Sequence, residues 1–121
     1  MSKLAKQLDP SMILIKAFVK AISFLGFTKA QGADVLGVSR ATLDRHLKNG
    51  FDMNSREAEF AKLFIRIYRS LFAITGGDTK LMEHFMNSPN RALSGQPKEL
   101  LFSVQGIVRV NDYLDAMRGK V

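Results

Sequence analysis

Apolar residues recur along this chain at three- and four-residue steps, and nowhere do they alternate with polar ones over the run that a half-buried strand requires. The pattern predicts an all-α fold. Asp9 followed by Pro10 has the form of an N-cap and a first-turn proline, opening a helix to about Gly26 with Ile15, Phe18, Val19, Ile22 and Leu25 inward. Thr28 can cap a shorter helix reaching Leu36, and Ser39 a third that stops near Asn49-Gly50. In the fourth, Asn54 with Glu57 has the spacing of a reciprocal cap, and Phe60, Leu63, Phe64, Ile67, Leu71 and Ile74 follow at helical intervals up to Gly76-Gly77. Ile65, Tyr68 and Phe72 widen that stripe beyond one contact, as a central core helix or an inter-subunit surface would.

Beyond Gly77 the pattern changes. Asp78 can cap a helix carrying Leu81, Met82, Phe85 and Met86, and NSPNRALSGQP then has the proline, glycine, serine and asparagine content of a structured turn region. Pro97 starts a short helix through Leu100, Leu101 and Phe102. The last helix puts Ile107, Val110, Leu114 and Met117 on one side, with Arg118 in its final turn and Gly119 as its stop. The division this suggests is residues 1–77 as one domain and 78–121 as a second, smaller one packed against it.

Charge sharpens that division. Residues 1–77 hold 12 Lys and Arg against 6 Asp and Glu, whereas residues 78–121 hold 6 against 5, so nearly all of the +7 lies in the first part. A basic first part beside an almost neutral second suggests that only the first meets a polyanion. Cysteine is absent, which removes disulfides, thiolate catalysis and cysteine-zinc sites and points to a cytoplasmic protein. Lys16 and Lys20 interrupt the apolar stretch SMILIKAFVKAISFLGF, so it predicts an amphipathic helix and no membrane partner, with surface binding to a membrane a minor alternative.

The stretch GADVLGVSRATLDRHLKNG, residues 32–50, has the spacing of a helix-turn-helix. Two helices meeting steeply across a short turn need a small residue where they touch and a flexible one where the chain bends. Ala33 and Gly37 fill those roles, and Val38, Leu43 and Leu47 plug the second helix into the core. A recognition helix reads bases from its N-terminal half and holds phosphates along its flanks. That assigns Arg40 and Thr42 to base edges, Arg45 to a base or a phosphate, and Ser39 to the rim. Thr28, Lys29 and Gln31 at the start of the preceding helix, and Lys48, would touch the sugar-phosphate backbone. Asp44 would be repelled there unless it pairs with Arg40 or Lys48. A single short helix binds weakly alone, so a homodimer on two-fold symmetric operator double-stranded DNA is expected. The alternative is a helical hairpin used only for packing or dimerisation.

Pro89, Asn90, Leu93, Gly95, Pro97, Leu100, Leu101, Gly106, Val110, Leu114 and Gly119 together resemble the signature of the C-terminal toxin-binding domain of Xre/MbcA/ParS-type antitoxins. The match spans about forty residues in order, and the layout, a helix-turn-helix followed by this module, resembles the family as well. The chain departs from the pattern at Phe85, where the family often has tryptophan, and at Lys98 and Ser103, in place of an apolar residue and a threonine. The resemblance implies a RES-domain toxin as partner, a consumer of NAD held inactive by occlusion of its cofactor cleft. It also implies that the last helix and tail, Asp112, Arg118, Gly119, Lys120 and Val121, do the occluding. A cleft that accepts a dinucleotide's phosphates would accept Arg118 or Lys120, although either can equally serve the helix end or a frayed tail.

No other constellation of reactive side chains stands out. His46 and His84 lie 38 residues apart without partners at metal spacing, so no metal is expected. Asp112 and Asp115 have the spacing of a solvated face, and Gly76-Gly77 lacks the lysine and hydroxyl of a phosphate loop. The sequence therefore predicts a non-enzymatic antitoxin, with no cofactor, that represses its own operon. A free-standing transcription regulator whose C-terminal module oligomerises or senses a ligand is the alternative.

Overall fold

A computed structural model describes residues 9–119. They form seven helices: α1 (Pro10–Phe24), α2 (Lys29–Leu36), α3 (Arg40–Asn49), α4 (Arg56–Thr75), α5 (Thr79–Asn87), α6 (Pro97–Leu100) and α7 (Val104–Met117). No strand is present among the described residues, and the fold is all-α as the periodicity requires. No single helix among them is long and apolar enough to cross a membrane.

Caps place most of the helix starts. The Asp9 carboxylate accepts the Ser11 N–H at 2.9 Å and the Ser11 hydroxyl at 2.8 Å, and these bonds, the backbone one foremost, hold it below its ordinary value of 3.8. Thr28 and Gln31 form a capping box around the first turn of α2, Ser39 caps α3, Asp78 caps α5 and Ser103 caps α7. The start of α4 corrects the sequence reading. Its cap is Ser55, whose Oγ accepts the Ala58 N–H at 3.1 Å, while Asn54 donates its own N–H to Asp52 Oδ1 at 3.0 Å. Asn54 is one residue too early, because the turn closed by Asp52 consumes it, and with alanine three beyond Ser55 no reciprocal bond can form.

The long helix α4 organises the molecule, packing most extensively with α1 and α7. Phe18 of α1 meets Phe51 and Phe64 edge to face, with centroids 6.5 and 5.8 Å apart. Such pairs add about 0.5–1.5 kcal/mol each to the area they bury. From Ile15 and Phe18 through Phe64 and Leu71 to Ile107 and Leu114 the buried side chains form one continuous cluster. Val19, Val38 and Leu47 lie half-buried at its edge.

Two close approaches were not foreseen. Gly32 lets α2 settle against α1, where a β-carbon would stand 2.5 Å from Ile22 Cδ1. Gly50, buried and at φ 86°, lies against Ser11. In the turn region Asn90 and Gly95 exchange both backbone bonds, at 2.9 and 3.2 Å, and the Asn90 side chain accepts the Leu93 N–H at 3.1 Å. Asn90 is thus the structural residue that its place after proline suggests.

Candidate nucleic-acid interface and partner face

Helices α2 and α3 meet across a short turn, and the residues between them take the places that their spacing predicts. Ala33 is buried, Gly37 takes the left-handed conformation at φ 73°, and the Val38 N–H bonds back to the Ala33 carbonyl at 3.0 Å. Leu43 is the fully buried anchor of α3. With that face inward, Arg40, Asp44, Arg45 and Lys48 project into solvent.

These side chains are connected to one another. The Ser39 hydroxyl accepts the Thr42 N–H at 3.1 Å and donates to Thr42 Oγ1 at 3.0 Å, and the same oxygen accepts from the Arg45 guanidinium at 3.0 Å. Arg40 lies 3.6 Å from Asp44, the pairing expected for that carboxylate. Both partners are about half exposed, and such a pair contributes only about 0.3–0.5 kcal/mol. A bidentate arginine on guanine contributes roughly 1–3 kcal/mol in discrimination, so DNA would outcompete these internal bonds.

At the start of α2 the picture is more restricted. Gln31 Oε1 accepts the Thr28 N–H at 2.9 Å, and Thr28 Oγ1 accepts the Gln31 N–H at 3.1 Å. Gln31 therefore has its amide NH₂ left for a phosphate, Thr28 its hydroxyl proton, and Lys29 is exposed beside them. The positive end of the α2 dipole adds to that attraction. His46 faces inward, with Nδ1 3.3 Å from the Gly50 carbonyl, and its ring stacks toward Phe51. His84 lies 3.3 Å from the Ser88 hydroxyl.

In the second part the candidate residues lie on and just after α7. Ile107, Val110 and Leu114 are buried as expected, but Met117, the last residue of α7, is 53% exposed. The outer face of the helix carries Val104, Val108 and Asp112 at four-residue steps, all exposed. Asp115 departs from the solvated face predicted for it: its carboxylate takes a two-pronged bond from Arg66 of α4, at 2.7 and 3.2 Å. Asn111 is buried and donates to the carbonyls of Leu63 and Ile107, both at 3.2 Å. Arg118 turns back to Ser70 of α4, donating to its hydroxyl at 3.0 Å, and so uses one of five guanidinium N–H groups. Gly119 is exposed at φ 71°, while Lys120 and Val121 lie outside the described residues.

The three departures from the signature each have local work. Phe85 stacks on Tyr113 with centroids 6.2 Å apart. Lys98 donates to the Gly26 carbonyl at 2.9 Å and stands over the Phe27 ring. Ser103 Oγ accepts the Gly106 N–H at 3.0 Å, as a threonine would. The Phe85 and Lys98 contacts could not be read from the chain, since each joins positions whose proximity depends on tertiary packing, whereas Ser103 caps its own helix.

Residues 70–120 match the family described as Antitoxin Xre/MbcA/ParS C-terminal toxin-binding domain. No curated protein matches the chain.

Proposed function

From the premise that residues 70–120 belong to the Xre/MbcA/ParS antitoxin C-terminal toxin-binding domain family, we propose that this protein is the antitoxin of a type II toxin-antitoxin pair and the repressor of its own operon. That membership is the observation that carries the reading, since such a domain has a toxin as its partner. The toxin is proposed to be of the RES-domain type. Its NAD cleft would be closed by the tail beyond α7, with Arg118, Lys120 or both bonding acceptors of the cleft. Occlusion needs no chemistry from the antitoxin, only an affinity exceeding that of the metabolite. The four N–H groups that Arg118 keeps free of Ser70 suit this role, and Asp112 on the exposed face of α7 would meet the rim of the cleft.

Operator binding is assigned to residues 1–77, with α3 in the major groove. Arg40 and Thr42 would read base edges, Arg45 a base or phosphate, and Thr28, Lys29, Gln31 and Lys48 the backbone, with Ser39 at the rim. A homodimer is supported by an exposed aromatic patch where Phe24 and Phe72, 44% and 47% exposed, flank Tyr68 at centroid distances of 5.4 and 6.0 Å. Large rings left in water on a basic protein are suited to a second copy. The protein would act in the cytoplasm, where operator and NAD are both found.

Affinity purification from native cells, with a high-salt wash, tests the proposal. Salt strips partners bridged by DNA but leaves a largely apolar interface intact. The expected result is a near-stoichiometric NAD-consuming protein. Recovery of this chain alone would instead favour a free-standing regulator.

A further inference from the structure

A groove of about 690 Å³ runs between α1 and α4, and of the residues that line it the toxin reading uses Arg118 alone and the operator reading none. Its floor is apolar, formed by Ile13, Leu14 and Ala17 of α1 with Met53 and Ile65. Ile13 is 50% exposed, so the groove is open along one side and leaves a large aliphatic side chain in water. Four cations border it: Lys62, Arg66 and Arg69 on α4, and Arg118 at the end of α7.

The three on α4 stand at i, i+4 and i+7. At 1.5 Å per residue they form a row about 10 Å long. Within the described residues, carboxylates meet two of the four cations: Glu59 reaches Lys62 at 3.2 Å and Asp115 reaches Arg66 at 2.7 Å. Among those residues the Arg118 guanidinium meets the neutral Ser70 hydroxyl and no carboxylate, and Arg69 has no salt-bridge partner. The groove thus combines an apolar floor with a positive rim that is half paired with carboxylates, Arg69 and Arg118 adding charge that no carboxylate among the described residues meets.

We propose that this groove is a docking site for an acidic amphipathic helix of a partner protein. A row of cations at helical spacing is matched by carboxylates at helical spacing on a helix laid alongside, whose apolar stripe would cover Ile13 and Ile65. An open groove suits such a helix, which keeps its outer face in water, better than a small molecule, which is ordinarily enclosed over most of its surface. The chain itself supplies a poor occupant. Its net charge of +7 opposes a second copy on this rim, and the eight residues preceding Asp9 hold two lysines and no carboxylate. The assignment does not depend on the partner being a toxin.

The test uses the full chain and a labelled synthetic helix of about 18 residues, leucine at i, i+3, i+4 and i+7 positions and glutamate elsewhere, beside a twin with lysine for every glutamate. The glutamate peptide should bind by fluorescence anisotropy and the lysine twin should not. Arg69→Glu and Ile13→Asp, both at accessible positions, should each weaken binding by about tenfold or more, with thermal melts confirming that each variant is folded. Arg45→Glu on α3 should leave it unchanged. Equal binding of the twins, equal sensitivity to Arg45→Glu and Arg69→Glu, or no binding would each overturn the proposal. So would decanoate binding that depends on Arg69 while the peptide shows none, which would assign the groove to a small amphiphilic anion.

Discussion

At the scale of single residues, what decides the effect of a substitution is the firmness of the neighbour. A β-carbon on Gly106 would collide with the Leu100 carbonyl, part of the backbone linking α6 to α7, and that carbonyl cannot move without displacing the turn. At Gly32 the obstacle is Ile22 Cδ1, the far end of a side chain that can rotate. Gly106→Ala should therefore destabilise by about 1–3 kcal/mol, whereas Gly32→Ala, gaining helix propensity of up to ~1 kcal/mol, should come close to neutral. Denaturant unfolding of the two variants checks this, and equal losses would mean that α6 and α7 are freer to shift than their packing indicates. Gly106 was visible in the sequence as part of a family signature, but the reason for it was not. Its obstacle is a backbone oxygen six residues away, placed there by the fold.

At the scale of helices, the caps and the spacing around Gly37 were legible in the chain because they depend on bonds three or four residues long. Ser39 capping Thr42, Thr28 with Gln31 and Asp78 with Leu81 are all of this kind. The one misplaced start, at Asn54 in place of Ser55, arose where two cap-competent residues adjoin and a preceding aspartate chose between them. On α3 the order of exposed side chains yields a prediction that separates reading from holding. Arg40→Ala should lose about 1–3 kcal/mol on the operator and little on unrelated DNA, whereas Lys48→Ala should weaken both alike and lower the salt dependence by about one ion. Gel-shift titrations over a range of salt distinguish the two. If Arg40→Ala leaves sequence preference intact, the reading edge of α3 lies elsewhere.

At the scale of the whole molecule, the bonds that tie α7 to α4 were the least legible. Arg66 to Asp115, Arg118 to Ser70 and Asn111 to the Leu63 carbonyl each span 48 or 49 residues, and no local pattern marks them. They also refine how the tail should be tested. A chain ending after Gly119 keeps the Arg118 bond to Ser70 and should retain its melting temperature and DNA binding, with toxin neutralisation reduced by the share that Lys120 carries. One ending after Met117 forfeits that bond as well, at about 1 kcal/mol, and should melt a few degrees lower. Full neutralisation by the shorter chain would move the inhibitory surface off the tail. The family match begins at residue 70, inside α4, yet α7 bonds to Leu63 and Arg66 before that point. Transplanting residues 70–120 onto a foreign DNA-binding domain would thus carry away one wall of a room and leave the facing wall behind, so a working chimera has to inherit α4 from Leu63 or earlier.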